Sequence, residues 1–406
     1  MINARNIAIA SMLLVAGLPA TAQAPRITGL AQVWYTQMMD NNLRLNSTRQ
    51  PSSSVFNSRF NENGFTIRRT EIKAAGSVGD DIDWEIMFDP TITGDPVLQD
   101  IFIKYKMPNK IEFRVGQFKR MTTWEGLQSS SDLMLIERSM LARQFGDVRD
   151  RGAVASIGFG DSKGLNGRFH LGAFQGDAGK NLDSNPQKDM VARLEMNYGS
   201  NHQFGAYTLQ GVSNSADKLD NLKAVTFPGD KAPTEQQVLN NFDKTDQLGA
   251  FYRFQTKQFH ASVDLITGTL GRVLPTVGAG TAPSLNFHKT HLDQQYFGYV
   301  GTFGYTFGKH SVVARYDYLN YNSGDDWYTT TNPYKITENG ATSDYTPEYN
   351  EMTFGYTFAF NPDRIRAANI KINYVNRTSA NFLRPRAGQT GEQGGDTIYA
   401  CFQISF

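Results

Sequence analysis

The chain has 406 residues and a mass of 45.3 kDa, and it contains one cysteine. A single cysteine excludes an internal disulfide framework and a cysteine-rich zinc module. Lys and Arg total 40 against 39 Asp and Glu, so the net charge of +1 excludes a strong field for nucleic acid. The length suits either several domains or one large closed β structure.

The first 22 residues have the pattern of a signal peptide. Arg5 supplies the positive start, and the apolar run at 7–18 is too short to span a bilayer. Ala20-Thr21-Ala22 fits the small-x-small cleavage pattern, with Ala22-Gln23-Ala24 as a second option and a buried helix as the alternative reading. We therefore expect residues 1–22 to be removed on export and residues 23–406 to form one domain.

Downstream of this segment the chain alternates between apolar and polar residues. Ile82, Trp84, Ile86 and Phe88 are one example, and Phe402, Ile404 and Phe406 at the end of the chain are another. A period of two predicts strands with one apolar and one polar face. Sixteen strands are predicted near 25–38, 63–75, 81–89, 98–107, 110–118, 152–160, 165–175, 188–198, 202–212, 244–255, 257–268, 294–307, 309–321, 349–360, 367–377 and 396–406.

The composition of the two faces favours a transmembrane antiparallel β-barrel over a soluble sandwich. The apolar face is rich in aromatic residues, and Tyr296, Tyr299, Phe303 and Tyr305 are assigned to it. Short polar links alternate with long ones, as in outer-membrane barrels, and about sixteen strands leave room for an aqueous channel.

Strand parity also predicts a lumen of mixed charge. The inward candidates are the cations Lys104, Lys106, Arg114, Arg193, Arg253, Arg315 and Lys371 and the acids Asp83, Glu85, Asp89, Asp100, Glu112, Glu195, Asp264 and Asp317. Cys401 is assigned to the same face.

The second strand contains a parity conflict. Phe65 and Ile67 place the apolar face at odd positions, whereas Ile72 and Ala74 place it at even positions. A β-bulge at Arg68-Arg69 changes the parity, since two residues then oppose one on the neighbouring strand. The bulge directs both arginines and then Lys73 into the lumen; the alternative is a position at the barrel rim.

The segment from 116 to 152 carries a string of distinctive motifs. They are Gly116-Gln117-Phe118-Lys119, Trp124-Glu125-Gly126-Leu127, Ser129-Ser130-Ser131, Ile136-Glu137-Arg138 and Arg149-Asp150-Arg151-Gly152, with Gly64-Phe65-Thr66-Ile67-Arg68-Arg69 upstream. Together they resemble the phosphate-selective porins O and P, a family of Gram-negative outer-membrane porins.

The resemblance implies a trimeric barrel of sixteen strands, narrowed by an inward-folded constriction loop and lined by Arg and Lys. The motifs carry over a contact with the permeating anion to Arg68, Arg69, Lys119 and Arg138. Parity and position add Lys73, Arg114 and Arg120 to this set. The family name alone does not identify phosphate as the solute, because Asp132 follows the serine run.

The sequence therefore predicts an outer-membrane porin for passive diffusion of small hydrophilic solutes, with preference for anions such as phosphate. The alternative is a substrate-specific channel for sugars or small organic molecules, with Trp124, Trp327 and Tyr328 near the mouth. A barrel serving as adhesin, receptor or enzyme is a third class. Expected partners are small anions, outer-membrane lipid and two further copies in a homotrimer, without nucleic acid.

No catalytic residue, cofactor or metal site is predicted. His260, Ser262 and Asp264 share a strand face, but this spacing arises by chance in an alternating strand. His288, His291 and Asp293 have loose spacing for a metal site.

Overall fold

The structure is a computed structural model. It describes residues 24–39, 63–91, 97–161, 164–176, 188–212, 244–271, 293–320, 323, 334–338, 341–345, 348–377, 382–384, 389–391 and 395–406. The predicted signal peptide, His288, His291, Trp327 and Tyr328 lie outside these residues.

Sixteen antiparallel strands form a closed barrel in which each strand pairs with the next along the chain. They are β1 Arg26–Met38, β2 Gly64–Val78, β3 Ile82–Phe88, β4 Leu98–Met107, β5 Ile111–Lys119, β6 Arg149–Gly160, β7 Leu165–Phe174, β8 Asp189–Tyr198, β9 His202–Val212, β10 Lys244–Gln255, β11 Phe259–Gly271, β12 Asp293–Phe307, β13 His310–Asn320, β16 Glu348–Ala359, β17 Ala368–Arg377 and β20 Gly395–Ser405. Two small hairpins, β14 Tyr334–Glu338 with β15 Ala341–Tyr345 and β18 Phe382–Arg384 with β19 Gln389–Gly391, interrupt the longer links. The prediction of sixteen strands is confirmed, with every boundary within three residues.

The two ends of the barrel differ in the length of their connections. Short turns lie at one end, which we call the turn end, and the longer links lie at the other, the loop end. Gly199 and Gly308 adopt φ of 59° and 57° in two of the turns, a left-handed conformation that costs glycine little. The short 3₁₀ helix Pro362–Arg364 forms part of the turn between β16 and β17.

The barrel wall has an apolar outer face and a largely polar inner face. Ile103, Val115 and Phe402 are each about 60 % exposed on the outside, whereas Arg193 and Asp317 on the inside are buried. Closure lets the wall pair its own backbone groups, as hydrocarbon surroundings require. No helix among the described residues has the length and apolar character needed to cross a membrane.

One assignment of an aromatic residue to the outer face is wrong. Tyr296 is fully buried inside the barrel, while Tyr299 and Phe303 on the same strand do lie on the outside. The reason is parity, because even positions of β12 point inward. Tyr296 there stacks on Phe145, with ring centroids 4.5 Å apart and planes at 9°.

The predicted bulge in β2 is confirmed. Gln32 of β1 pairs with Arg69, but the next residue, Val33, pairs with Ile67, so Arg68 is the extra residue. Ile67 before the bulge is 66 % exposed and Ile72 after it is 46 % exposed, so the outer face moves from odd to even positions. The extra residue thus resolves the parity conflict without placing a charge in lipid.

The barrel closes between β1 and β20, and Phe406 completes the seam. Gly29 N–H donates to the Phe406 carbonyl at 2.8 Å, and Phe406 N–H donates to the Gly29 carbonyl at 3.1 Å. The Phe406 ring lies over Gly29, where an added Cβ would meet the ring at 2.3 Å. A side chain at this position would displace the ring from where it lies.

Deleting residues 402–406 is expected to abolish assembly, because it removes four of the eleven residues of β20 and leaves β1 with unpaired backbone groups in lipid. The measurement is the shift in electrophoretic mobility between unheated and heated samples in SDS, with the full-length chain as the control. A truncated chain that still shows the heat-dependent shift contradicts the prediction.

Candidate functional site: the lumen and its inward loop

Residues 120–148, between β5 and β6, fold into the barrel, and we call this segment the inward loop. It contains a short helix α1 (Trp124–Leu127), a 3₁₀ turn (Ser130–Asp132) and a π turn (Ala142–Gly146). Met140 N–H donates to Asp317 Oδ1 of β13 at 2.7 Å, and Ile136 N–H donates to Asn373 Oδ1 of β17 at the same distance. The prediction of an inward-folded loop is confirmed.

The two ends of the inward loop come into contact at Thr123 and Gly146. Thr123 caps α1 by accepting a hydrogen bond from Gly126 N–H at 3.2 Å. A Cβ added to Gly146 would lie 1.6 Å from Thr123 Oγ1, so only glycine fits there. The contact brings the beginning and the end of the loop together and gives it a compact shape.

The loop packs its apolar side chains against one half of the inner wall. Met140, Leu141 and Phe145 are at most 3 % exposed and form a single cluster with inward residues of β9 to β13 and β16. Those wall residues are Tyr207, Phe251, Ile266, Tyr296, Val300, Leu319 and Tyr349. Burial of this apolar surface favours the docked position.

A buried charge network joins the same wall to the loop. Arg315 donates to Asp317 at 2.7 Å and to Glu351 at 3.4 Å, and Arg377 donates to Glu351 at 3.1 Å. Arg143 of the loop adds a third arginine, 3.5 Å from Glu351. Burial lowers the pKa of Arg143, but nearby negative charge, chiefly that of Glu351, outweighs this and raises it, so Arg143 stays protonated.

Glu137 of the loop binds both arginines of the β2 bulge. Arg69 lies 2.9 Å and Arg68 3.5 Å from the two carboxylate oxygens, and both guanidinium groups lie 5.4 Å from the centre of the Trp34 ring. Arg69 also donates to Gln32 Oε1 at 2.9 Å. Burial would raise the pKa of Glu137, but the charges of Arg69 and Arg68 outweigh it and hold that pKa well below its usual range.

Asp147, at the end of the loop, pairs with three cations, of which Arg149 is the most distant at 3.9 Å. Lys119 Nζ lies 2.8 Å and Arg138 3.0 Å from the Asp147 carboxylate. Lys119 also donates to the Gly126 carbonyl at 2.7 Å. Burial would raise the pKa of Asp147, but Lys119 and Arg138 lower it to about 2.

Arg120 lies in a further buried pair, 2.7 Å from Asp189 of β8. Arg120, Arg138 and Lys119 are thus placed among the contacts that hold the loop, with side chains 7 %, 3 % and 14 % exposed. Their contact with a permeating anion stays a prediction.

The opposite half of the wall, β2 to β7, carries charges that the loop does not cover. Lys73 pairs with Glu85 at 3.4 Å, and Lys104 and Lys106 each lie 3.0 Å from Asp83. A recess of about 500 Å³ opens along this wall toward the turn end. Its lining includes Arg26, Ser77, Asp83, Glu85, Lys104 and Arg114.

Arg114 is a predicted anion contact on this wall, and it lies against two aromatic rings. Its guanidinium lies 4.7 Å from the ring centre of Phe102 and 5.2 Å from that of Phe118. Within the described part of the chain it forms no ion pair closer than 4 Å. The aromatic faces hold the cation in place and leave its hydrogen-bond donors available.

Sequence reasoning missed the wall residues that receive the loop. Glu351, Asn373 and Gln403 bind loop atoms. The alternating sequence pattern showed only that these side chains face the lumen. A second signal was present in Tyr207 and Ile266, which make both faces of their strands apolar. An apolar inner face predicts that another segment covers it.

The candidate group His260, Ser262 and Asp264 lies on the inward face of β11, and the candidate metal ligands His288 and His291 lie outside the described residues. His260 Nε2 lies 3.3 Å from Ser262 Oγ, but Asp264 accepts a hydrogen bond from Trp124 N–H at 3.1 Å. Among the described residues there is no group of three or more His, Cys, Asp or Glu side chains that could hold a metal ion.

A closed sixteen-stranded barrel with an inward loop defines the general class of outer-membrane porins. The family model of the phosphate-selective porins O and P matches residues 42–337, and the chain belongs to this family. Family and fold together make it an outer-membrane channel. No curated protein matches the chain in sequence.

Solved structures share the fold at low sequence identity. The outer-membrane channel DcaP of Acinetobacter baumannii is 12 % identical with a TM-score of 0.56, covering 96 % of this chain and 99 % of its own. OmpF of Salmonella typhi, in complex with daunomycin, is 11 % identical with the same TM-score and coverage. An anion-selective porin from Comamonas acidovorans is 10 % identical with a TM-score of 0.51, covering 94 % and 99 %.

Replacing Glu137 with Gln is expected to loosen the inward loop, because Arg69 then stays buried without a counter-charge. Removing one partner of a buried ion pair costs about 3–5 kcal/mol. Glu137 is one-fifth exposed, so we expect the lower end of this range. Single-channel recording should show a noisier, larger current. Glu112→Gln disrupts the Glu112–Arg168 pair on the wall of β2 to β7, which we call the open wall, and should leave the noise unchanged. Wild-type noise in Glu137→Gln contradicts the anchoring role.

The loop anchors also predict a pH dependence. A carboxylate whose pKa is lowered by folding stabilises the fold above its unfolded pKa, near 4, and loses that effect as pH falls through its folded pKa. The pKa values of Glu137 and Asp147 are both lowered, that of Asp147 to about 2. Current noise should therefore stay constant from pH 7 to about 4 and rise only toward pH 2. A rise that begins near pH 6 would count against these anchors.

Proposed function

We propose that the channel conducts small hydrophilic solutes passively, with a preference for anions such as phosphate. The observation that carries the proposal is Arg114, a cation on the open wall that no acid pairs with among the described residues. A guanidinium in this position can replace part of the hydration shell of a passing anion. Most of the other acidic and basic side chains of this wall lie in ion pairs.

The bulge supplies a second source of positive charge. Arg68 and Arg69 share the single carboxylate of Glu137, which leaves one positive charge in excess. The Arg68 side chain is 51 % exposed, so this excess charge faces the aqueous lumen. Two adjacent guanidinium groups present planar donors that match phosphate oxygens.

A similar excess lies closer to the turn end. Lys104 and Lys106 share the carboxylate of Asp83, again two cations against one acid. Lys73 is balanced by Glu85 and contributes to the anion path through its exposed ammonium group. The path along β2 to β7 therefore carries three local excesses of positive charge, although the whole chain is nearly neutral.

The alternative, a channel specific for sugars, relied on aromatic residues near the mouth. Trp124 does not lie there, because the inward loop carries it into the lumen. Its indole Nε1 donates to Gln203 at 2.9 Å, and Arg253 lies 5.1 Å from its ring centre. The position of Trp124 therefore gives no support to a sugar-stacking site at the mouth.

The assembly and export of the protein are part of the same proposal. Residues 1–22 direct export and are removed, the outer face of the barrel contacts outer-membrane lipid, and three copies assemble into a homotrimer. The exposed apolar side chains of the wall support contact with lipid. The trimer is proposed from the family resemblance.

Replacing Arg114 and Arg68 together with Gln is expected to shift ion selectivity toward cations. A unit charge a few ångströms from an ion in a wet pore contributes about 1 kcal/mol, so the anion-to-cation permeability ratio should fall about fivefold. The measurement is the reversal potential in a KCl gradient across a planar bilayer, with and without phosphate.

Lys309→Gln, a change in an exposed turn, is the matched control and should leave the potential unchanged. The variant in which both Arg114 and Arg68 are replaced with Gln retains the Arg69–Glu137 pair, so the loop anchor stays in place. An unchanged potential in the double variant removes both arginines from the selectivity path.

A further inference from the structure

We infer that the outer wall at the turn end holds two equivalent binding sites for the phosphate group of an anionic phospholipid. Each site is centred on a histidine that begins a strand, His202 on β9 and His310 on β13, and we call them the first and the second histidine site. Odd positions of these strands, such as Tyr207 and Asp317, are buried inside the barrel, so the two histidines at even positions face lipid. The inference goes beyond the proposed conduction, because it concerns the outside of the barrel.

The two sites have the same local sequence, although they lie far apart in the chain. In each, an aromatic residue ends the preceding strand, a turn with a left-handed glycine follows, and the histidine pairs with a phenylalanine of the next strand. That strand carries a tyrosine two residues before the phenylalanine. The members are Tyr198, Gly199, His202, Tyr252 and Phe254 at the first site and Phe307, Gly308, His310, Tyr356 and Phe358 at the second.

Each histidine is hydrogen-bonded to the tyrosine of its site. His202 Nδ1 lies 2.8 Å from the Tyr252 hydroxyl, and His310 Nδ1 lies 2.7 Å from the Tyr356 hydroxyl. When the phenol donates to Nδ1, the neutral imidazole carries its proton on Nε2. Nε2 has no hydrogen-bond partner among the described residues at either site, so its N–H can donate to a phosphate oxygen.

Aromatic rings on both neighbouring strands hold the imidazole in place. Phe307 stacks on His310 with ring centroids 5.4 Å apart and planes at 20°, and the Phe358 centroid lies 5.6 Å away on the other neighbour. At the first site the corresponding centroid distances are 6.3 Å and 5.2 Å. Restricting the ring before a ligand arrives lowers the entropic cost of binding, and the same aromatic faces offer an apolar surface to an acyl chain.

This part of the turn end is also positively charged. The turns between β8 and β17 carry the basic Lys257, Lys309, Arg364 and Arg366 against the acidic Asp363. Arg366 pairs with a carboxylate of the inward loop, whereas the other three basic side chains are exposed and form no ion pair among the described residues. An excess of exposed positive charge favours a headgroup with a net negative charge.

The position of the sites favours a lipid phosphate over a free one. Short turns of outer-membrane barrels face the periplasm, and the leaflet on that side consists of phospholipids. The histidines lie between the apolar outer wall and the exposed turns, which is the level where a phospholipid joins its acyl chains to its phosphate. Inorganic phosphate makes no use of the aromatic surface, whereas a phospholipid contacts both the N–H donor and the rings.

The test is native mass spectrometry of the purified full-length protein in detergent, titrated with palmitoyl-oleoyl-phosphatidylglycerol. The wild type should retain two lipid molecules per chain, one at each site. Replacing His202 and His310 together with Phe keeps both rings but removes the N–H donors. The dissociation constant should then rise about tenfold, as expected for loss of a hydrogen bond to a charged group.

Tyr105→Phe is the matched control. Tyr105 lies on the outer wall at the same end, is 45 % exposed, and bonds to no histidine of the described chain. This variant should retain phosphatidylglycerol as the wild type does. Both the control and the double histidine variant are first checked for the heat-dependent mobility shift in SDS, which shows that the barrel is closed.

Three comparisons in the wild type keep the test independent of any variant. Palmitoyl-oleoyl-glycerol, which lacks the phosphate, and palmitoyl-oleoyl-phosphatidylcholine, which lacks the net charge, should both bind more weakly, and inorganic phosphate should not displace phosphatidylglycerol. Equal binding of the glycerol lipid would indicate apolar contact alone, equal binding of phosphatidylcholine would show that net charge is not recognised, and displacement by phosphate would indicate a site for a free anion. Each of these results overturns the inference, as does wild-type affinity in the double histidine variant.

Discussion

The inward loop stays in the barrel because charged groups on the loop and on the wall bind one another in place of water. Glu351 of the wall pairs with Arg143 of the loop, and Asp317 of the wall accepts a hydrogen bond from Met140 N–H of the loop. Such groups are costly to bury singly and acceptable only as a complete set. Movement of the loop out of the barrel would leave these charged groups without their partners and would also expose the apolar surface that the loop covers. Both effects hold the loop in place.

This constraint divides the lumen into two halves with different roles. The half from β8 to β20 holds cations such as Arg193, Arg315 and Lys371, but each donates to the backbone of the loop. The half from β2 to β7 holds Arg114, which lies against two aromatic rings and forms no ion pair among the described residues. The number of basic residues facing a pore is thus a poor guide to selectivity, because those that bind a loop no longer interact fully with solute.

The sequence was sufficient for the barrel and even for the bulge, because both follow from the period-two pattern. Phe65 and Ile72 cannot share a face of a regular strand, and this conflict located the extra residue. The roles of Lys119, Arg120 and Arg138 were not readable in the same way. Parity and position assign a side chain to the lumen, whereas its partner, such as Asp189 for Arg120, depends on how a loop folds across the barrel. Tyr296 was misassigned for a related reason, since aromatic character alone does not distinguish lipid from a covered inner wall.

The bulge has a consequence for how this strand can change over time. Because Arg68 has no partner of its own in the register, a chain lacking it would pair Ile67 and Arg69 with the same residues of β1 as before. Loss of a single codon elsewhere in β2 would exchange the two faces of the strand and place charges in lipid. The second guanidinium is therefore a removable addition, and related channels can gain or lose it in one step while keeping the same barrel.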